Sequence, residues 1–375
     1  MIYADYNATT PCLPDIADRM RDLLCTEYAN PGNRASPSGR RARAAIDTAR
    51  RQLAGAVHAH PDELIFTSGA TEACNTVMLG VMQRLLRDRP GLLASATEHP
   101  AVLMPGRYCG EAGAEWTELP VDSRGRLDLD ALDRALAQPV ALVCVMAANN
   151  ETGVLQDLDA IVRLAHAAGA LVFSDMTQAL GKIPVDLHTL GVDFACFSAH
   201  KCYGPKGVGA LYKRRGLSLP PLLRGGGQEE GLRSGTENVP AIAGFGMAAE
   251  RAADEQPDRA AHLAHLSRLL ESKVENQLPG VVLQGAKAPR MPGTSMFSHP
   301  GLRGKWLPQL ADIEAGSGSA CASMHGRPSH VLQAMGTDPD TAARSVRVSL
   351  GLPTTEADVH HIADRLVAGA RKLLA

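Results

Sequence analysis

The sequence predicts an α/β protein with a large domain built on a mainly parallel sheet flanked by helices, plus a smaller α+β domain. Three observations carry that expectation. Short apolar runs alternate with segments of helical periodicity over the first 250 residues. Hydrophobic residues make up 45% and charged residues 21%, the mix of a globular chain that can bury a core. The alternation stops near residue 258, where a long helical pattern opens a different arrangement.

Strand-length runs fall at 64–67 (LIFT), 92–96, 140–146, 170–174, 193–198 and 208–212, and helical patterns at 39–57, 70–87, 128–137 and 157–168. A turn-rich stretch follows, with GGG at 225–227 and GLRSGTENVP at 231–240, and then a helical segment broken near Pro257. The second part reads as a helix at 258–277, strands at 281–284, 293–298 and 345–350, and a last helix at 355–373. The strand-like piece at 1–14 is expected to join this part. The predicted domains are therefore 15–255, large, and 1–14 with 256–375, small.

Lys and Arg total 38 against 40 Asp and Glu, a formal charge of −2, which gives no reason for nonspecific nucleic-acid binding or attachment to an anionic membrane. The opening MIYADYNATTPCLP lacks a secretory pattern and no run approaches a membrane span, so a cytoplasmic location is expected. Arginines at 34, 40, 41, 43, 50 and 51 alternate with Ala and Ile at helical spacing and read as a solvated helix face. Eight cysteines lie singly at 12, 25, 74, 109, 144, 196, 202 and 321, with no C-x-x-C pair, so neither a disulfide framework nor a metal site is predicted. Cys144 and Cys196 sit in apolar runs as small hydrophobes. Cys321 stands apart in EAGSGSACASMHGRPSH, a loop composition that makes its thiol available for chemistry.

Residues 171–207 carry the chemistry. Asp175 ends the apolar run LVFSD, at the carboxyl edge where open α/β sheets bind ligands. A second apolar run, DFACFS, delivers Ser198, His200 and Lys201 to the same edge. A lysine directly after a buried strand is a candidate amine nucleophile with a depressed pKa. In FTSGATEACN (66–75) a strand turns through Ser68 and Gly69 into a helix starting at Ala70 and Thr71, a cradle for an anion. A lysine for an aldehyde, a carboxylate for a pyridinium nitrogen and a phosphate cradle suit pyridoxal 5'-phosphate. No G-x-G-x-x-G opens a helix after a strand, and Lys206 in GPKGVG is followed by Gly207, so neither a dinucleotide fingerprint nor a Walker A loop is present.

With these residues in order, the chain resembles the fold-type I pyridoxal-phosphate enzymes, specifically the cysteine desulfurases of the nitrogenase and iron–sulfur-cluster-assembly kind. Similar stretches run almost end to end: DYNATTP (5–11), FTSGATE (66–72), TEHPAV (97–102), NNETGVLQD (149–157), SDMTQALGK (174–182), FSAHKCYGPKGVGALY (197–212), GGGQEEGLRSGTEN (225–238), GSGSACAS (316–323) and RVSLG (347–351). GSGSACAS matches the long-loop group.

The resemblance implies removal of sulfur from L-cysteine, giving L-alanine and a persulfide on Cys321 for transfer to a protein acceptor, with no direct nucleic-acid partner. It implies that Lys201 bonds the cofactor aldehyde and moves protons at the substrate Cα, that Asp175 holds the ring nitrogen protonated, and that His99 lies over the ring and takes part in proton transfer. Asn150 and Gln178 would approach the ring hydroxyl, while Ala70, Thr71, Ser198 and His200 would hold the phosphate. Thr236 would reach the phosphate of a partner subunit, which implies a homodimer with shared active sites, and Arg347, with Asn150, would bind the substrate carboxylate. Two alternatives stay open: a C–S or selenocysteine lyase on the same scaffold, and a catalytically weak sulfur carrier or scaffold-binding protein.

The chain departs from the family pattern at Ser36, Arg224, Glu230, the Gly304-Lys305-Trp306 stretch, and Met324, His325 and Arg327. These departures are expected around the entrance, the dimer edge or the acceptor face.

Overall fold

In a computed structural model, residues 1–310, 312–317 and 328–375 are described. Strands β1 (Ile2–Tyr3) and β2 (Leu64–Thr67) come first, followed by β3 (Gly91–Ser95), β4 (Glu115–Leu119), β5 (Val140–Cys144), β6 (Leu171–Asp175), β7 (Phe194–Ser198) and β8 (Gly209–Lys213). Seven of them form one sheet in the order β2-β8-β7-β6-β5-β3-β4. Strands β3 to β7 run parallel, and β8 lies antiparallel between β2 and β7. The short chain segment between β7 and β8 can only reverse direction, whereas the parallel neighbours need helical crossovers. Six of the strands match the predicted runs to within two residues at each end. Only β4 was not expected: it is the edge strand, its EWTEL sequence is mostly exposed, and it therefore carries no apolar run.

Helices cover both faces. Pro37–Ala56, Ala70–Leu85, Leu129–Leu136 and Leu158–Ala167 lie where periodicity placed them. Ser36 begins the first of these, its hydroxyl accepting from Gly39 N at 3.0 Å, a favourable helix start. The helical segment breaks near Pro257 as expected: Val239–Asp254 ends at Glu255, and Pro257 lies in the first turn of the next helix, Gln256–Gln277, where a missing N–H costs nothing.

The second part holds β9 (Val282–Leu283), β10 (Thr294–Ser298), β11 (Ile313–Glu314) and β12 (Val346–Ser349), with β12-β10-β9 antiparallel and β1 pairing parallel to β11. These strands pack with helices Gln256–Gln277 and Glu356–Leu374 around Leu266, Phe297, Trp306, Val348 and Leu366. Trp306 corrects an expectation. It is fully buried rather than at a rim, and its indole N–H donates to Leu366 O at 2.9 Å, because an indole this large is stable inside only with its donor paired. Among the described residues no helix is long and apolar enough to cross a membrane.

Trp306→Ala is expected to cost about 3–5 kcal/mol by leaving a cavity. A lowered urea midpoint for unfolding checks it, and an unchanged midpoint contradicts a core role.

Candidate active site

Every parallel strand that matters to the site ends at one edge. β2 leads to Ser68–Thr71, β3 to His99, β5 to Asn150, β6 to Asp175 and β7 to Lys201. These residues line a cavity of about 540 Å³, together with Gln178, Ser198, His200 and Arg347. The cavity thus gathers every predicted site residue except two. Thr236 is exposed and does not line the cavity of its own chain. Cys321 lies outside the described residues.

Lys201 follows β7 in a single turn, Ala199–Lys201. Its amine donates to the backbone oxygens of Asn7 at 2.6 Å and Ala8 at 2.7 Å. Burial pulls its pKa down to about 8, with Arg347 adding to the fall while Asp175 and Asp5 oppose it. Asp175 is 8% exposed and accepts from Thr177 N at 2.9 Å, which fixes its carboxylate at the cavity wall. Beside it, burial pushes the Glu98 carboxyl well above the usual carboxylate range, against the Met146 N–H that favours its anion, and Asp175 adds to the rise.

His99 begins helix Pro100–Glu111, and its Nδ1 accepts from Ala101 N at 3.1 Å. That bond leaves the proton of the neutral ring on Nε2. Burial lowers the His99 pKa against the pull of Asp175. His200 is brought down to about 4 by burial and by Lys201 and Lys206. Its Nδ1 lies 3.1 Å from Thr9 Oγ1.

At the opposite end, Gly69 precedes helix Ala70–Leu85 without a side-chain cap, so the first-turn N–H groups of the helix face the cavity. Gly209 explains how this turn comes so close to the sheet. A Cβ there would stand 2.4 Å from Phe197 O and 2.7 Å from Gly69 Cα. Lys206 and Gly207 also line this end and add positive charge. A carboxylate, a lysine of lowered basicity and an uncapped helix start around one cavity fit pyridoxal phosphate by donor type.

Arg347 is 1% exposed on β12. It pairs with Asp5 Oδ1 at 2.6 Å and donates to Asn150 O at 3.0 Å, while its Nε has no partner among the described residues. Its backbone also pairs with Gly316 in both directions. On the far side of residues 318–327, Ser329 donates to Glu151 and His330 Nε2 lies 2.9 Å from Glu98 O.

Known proteins share this fold. The aminotransferase class-V family model matches residues 2–362. The chain belongs to the class-V aminotransferase family. It is 43% identical over 383 residues to a cysteine desulfurase of Frankia sp. (strain EuIK1), covering 99% of this chain and 91% of that one. A solved NifS-like protein matches with a TM-score of 0.89 at 35% identity over 98% of both chains. The structure of SspA in complex with cysteine matches with a TM-score of 0.82 at 29% identity, over 94% of this chain and 99% of that one. Within the family, this chain is one of the cysteine desulfurases.

Residue patterns missed several residues in or beside this cavity. Asp5 and Asn7 reach it from the N-terminal segment, almost 200 residues before Lys201, and no local signal joins them. Glu98 and Lys182 stand inside stretches noted for their similarity, but the types of their neighbours do not reveal their burial.

A buried amine with a pKa of about 8 is half neutral near that pH, against 10.5 for an ordinary lysine. Reductive methylation of the cofactor-free protein, followed by peptide mass spectrometry, is expected to show Lys201 reacting with a midpoint near pH 8. A midpoint at 10.5 contradicts the burial argument.

Proposed function

We propose that this cysteine desulfurase binds pyridoxal phosphate in the cavity between Asp175 and the Gly69–Thr71 turn, and converts L-cysteine to L-alanine while Cys321 takes the sulfur as a persulfide. The observation that carries this reading is the buried Lys201 amine, held next to Asp175 and an uncapped helix start in one cavity. When bound, the cofactor supplies an aldehyde that condenses with amines and a ring that takes up electrons from the substrate Cα.

The chain's residues divide the remaining work. Ala70 and Thr71 at the helix start, with Ser198 and His200, hold the phosphate. Asp175, oriented by Thr177 N, keeps a proton on the ring nitrogen. His99 offers its Nε2–H at the ring, and Gln178 and Asn150 offer polar groups to the ring hydroxyl. Arg347, whose Nε has no partner among the described residues, offers its guanidinium to the substrate carboxylate, and its other nitrogens are fixed by Asp5 and Asn150. Lys201, at a pKa of about 8, exists in both protonation states near neutrality, as removing and returning a proton at Cα requires.

The thiolate of Cys321 attacks the substrate sulfur. The S–S bond forms as the carbon–sulfur bond breaks, and the three-carbon fragment gains a proton to leave as alanine. The anchors on either side of residues 318–327 support this role. Gly316 is paired to Arg347, and Ser329 and His330 bond Glu151 and Glu98.

The active unit is a homodimer in the cytoplasm, with the exposed Thr236 of each chain completing its partner's phosphate site. The persulfide then passes to a protein acceptor.

Lys201→Ala should abolish the visible absorption band of the lysine-linked cofactor and cut turnover by at least about 100-fold. A hydride-reducible cofactor bond at another lysine would sink the assignment. Cys321→Ala should retain the bound cofactor but form neither persulfide nor sulfide above background with cysteine. Pyruvate and ammonia as the products of the unaltered enzyme would instead favour a C–S lyase.

A further inference from the structure

Lys182 has no role in the reading above, yet its amine ends between two buried amides of the site. The residue is only partly exposed, and its Nζ donates to Gln178 Oε1 at 2.6 Å and Asn7 Oδ1 at 2.8 Å. No carboxylate pairs with it among the described residues. Burial, with Lys201 and Arg347 nearby, lowers its pKa to about 7. A buried amine without a counter-ion is costly to folding, and such groups concentrate where function requires them.

The hydrogen bonds around it form a closed circuit. Asn7 O accepts from Lys201 Nζ and also from Gln178 Nε2, at 2.6 and 3.0 Å. Lys182 holds the oxygen end of that same Gln178 amide and the side-chain oxygen of the same Asn7. Asn7 in turn donates through Nδ2 to Asn150 O and to Thr294 Oγ1, at 3.1 and 2.9 Å. Lys182 Nζ is the donor in both bonds, so an amide oxygen, and not its NH₂, faces Lys182. Gln178 therefore shows only N–H groups in the other direction. One of them goes to Asn7 O, and its second is left for the cavity that Gln178 lines.

We propose that Lys182 is a positioning residue of the desulfurase reaction, which acts by locking the Gln178 amide with its free N–H toward the cofactor ring and by bracing the Asn7 carbonyl on which the Lys201 amine rests. Without Lys182, Gln178 Oε1 and Asn7 Oδ1 become buried acceptors with no donor, and the present orientation of each amide loses the bond that fixes its oxygen end. A turned Gln178 would point an oxygen at the ring hydroxyl and surrender the bond to Asn7 O.

The inference rests on the cofactor reading above, and the test separates the two. Holoenzyme is prepared unaltered and as K182M, Q178A, K182M/Q178A and K182R. Cofactor content, melting temperature, visible circular dichroism per bound cofactor, kcat and KM for cysteine are measured for each. K182M should keep its cofactor and melting temperature while its visible dichroism changes, and kcat should fall about ten-fold with little change in KM, because orientation and not binding is lost. In the Q178A background the same substitution should cost about two-fold or less, since the group it acts through is gone. K182R, which keeps donors at this position, should recover turnover relative to K182M. Additive losses in the double variant, unchanged dichroism in K182M, or K182R no better than K182M would each overturn the proposal. An unaltered protein that binds no cofactor would instead overturn the cofactor reading itself. If K182M does not fold, the comparison of K182R with the unaltered enzyme decides: matching dichroism and turnover support the brace, and altered dichroism refutes it.

Discussion

The site depends on how a lysine amine is kept inside a protein without a carboxylate bound to it. Lys201 rests on two backbone oxygens, those of Asn7 and Ala8. Carbonyl oxygens satisfy the donors of an amine without the full negative charge that would hold it protonated, so burial is free to lower its basicity. An ion pair in the same place would have produced a more stable ammonium and a poorer nucleophile. Asp175 and Asp5 act on the amine from a distance, and Arg347 counters them.

That arrangement requires two parts of the fold to meet. The sheet supplies Lys201, Asp175 and the helix start from successive strand ends, while the acceptors come from the N-terminal segment. The same segment is tied to the second part of the chain. Ile2 and Tyr3 pair with Ile313 and Glu314, Asp5 pairs with Arg347, and Asn7 N bonds Ser349 Oγ at 3.0 Å. A displacement of β12 is thus felt at the Lys201 acceptors through a few hydrogen bonds. Arg347 and Lys201 are mechanically neighbours, although 146 positions separate them in sequence.

Much of this was legible in the sequence wherever one local signal sufficed. Apolar runs with turn residues after them located β6 and β7, and with them Asp175, Ser198, His200 and Lys201. The Ser68-Gly69 turn showed the anion cradle because glycine and a helix start are both local features. Resemblance to a family added His99, Asn150 and Arg347. What stayed hidden was set by tertiary packing. The edge strand β4 faces solvent and has no apolar signature. Asn7 and Lys182 are ordinary polar residues until a remote amide is placed beside them. Cys74 and Cys196 are 3.8 Å apart beneath Asp175, and burial pushes the Cys196 thiol well above its ordinary pKa. Their contact is one of packing that spacing alone does not disclose.

The described residues on either side of positions 318–327 are fastened to the site itself. Gly316 pairs with Arg347, a cavity residue, while Ser329 bonds Glu151 and His330 bonds the Glu98 oxygen. If the Cys321 thiol takes the substrate sulfur as proposed, it works as a tethered, intramolecular reagent, whose effective concentration on the order of millimolar for a short tether does not depend on how much protein is present. A partner that loosened either attachment would disturb Arg347 or Glu98 in the same event.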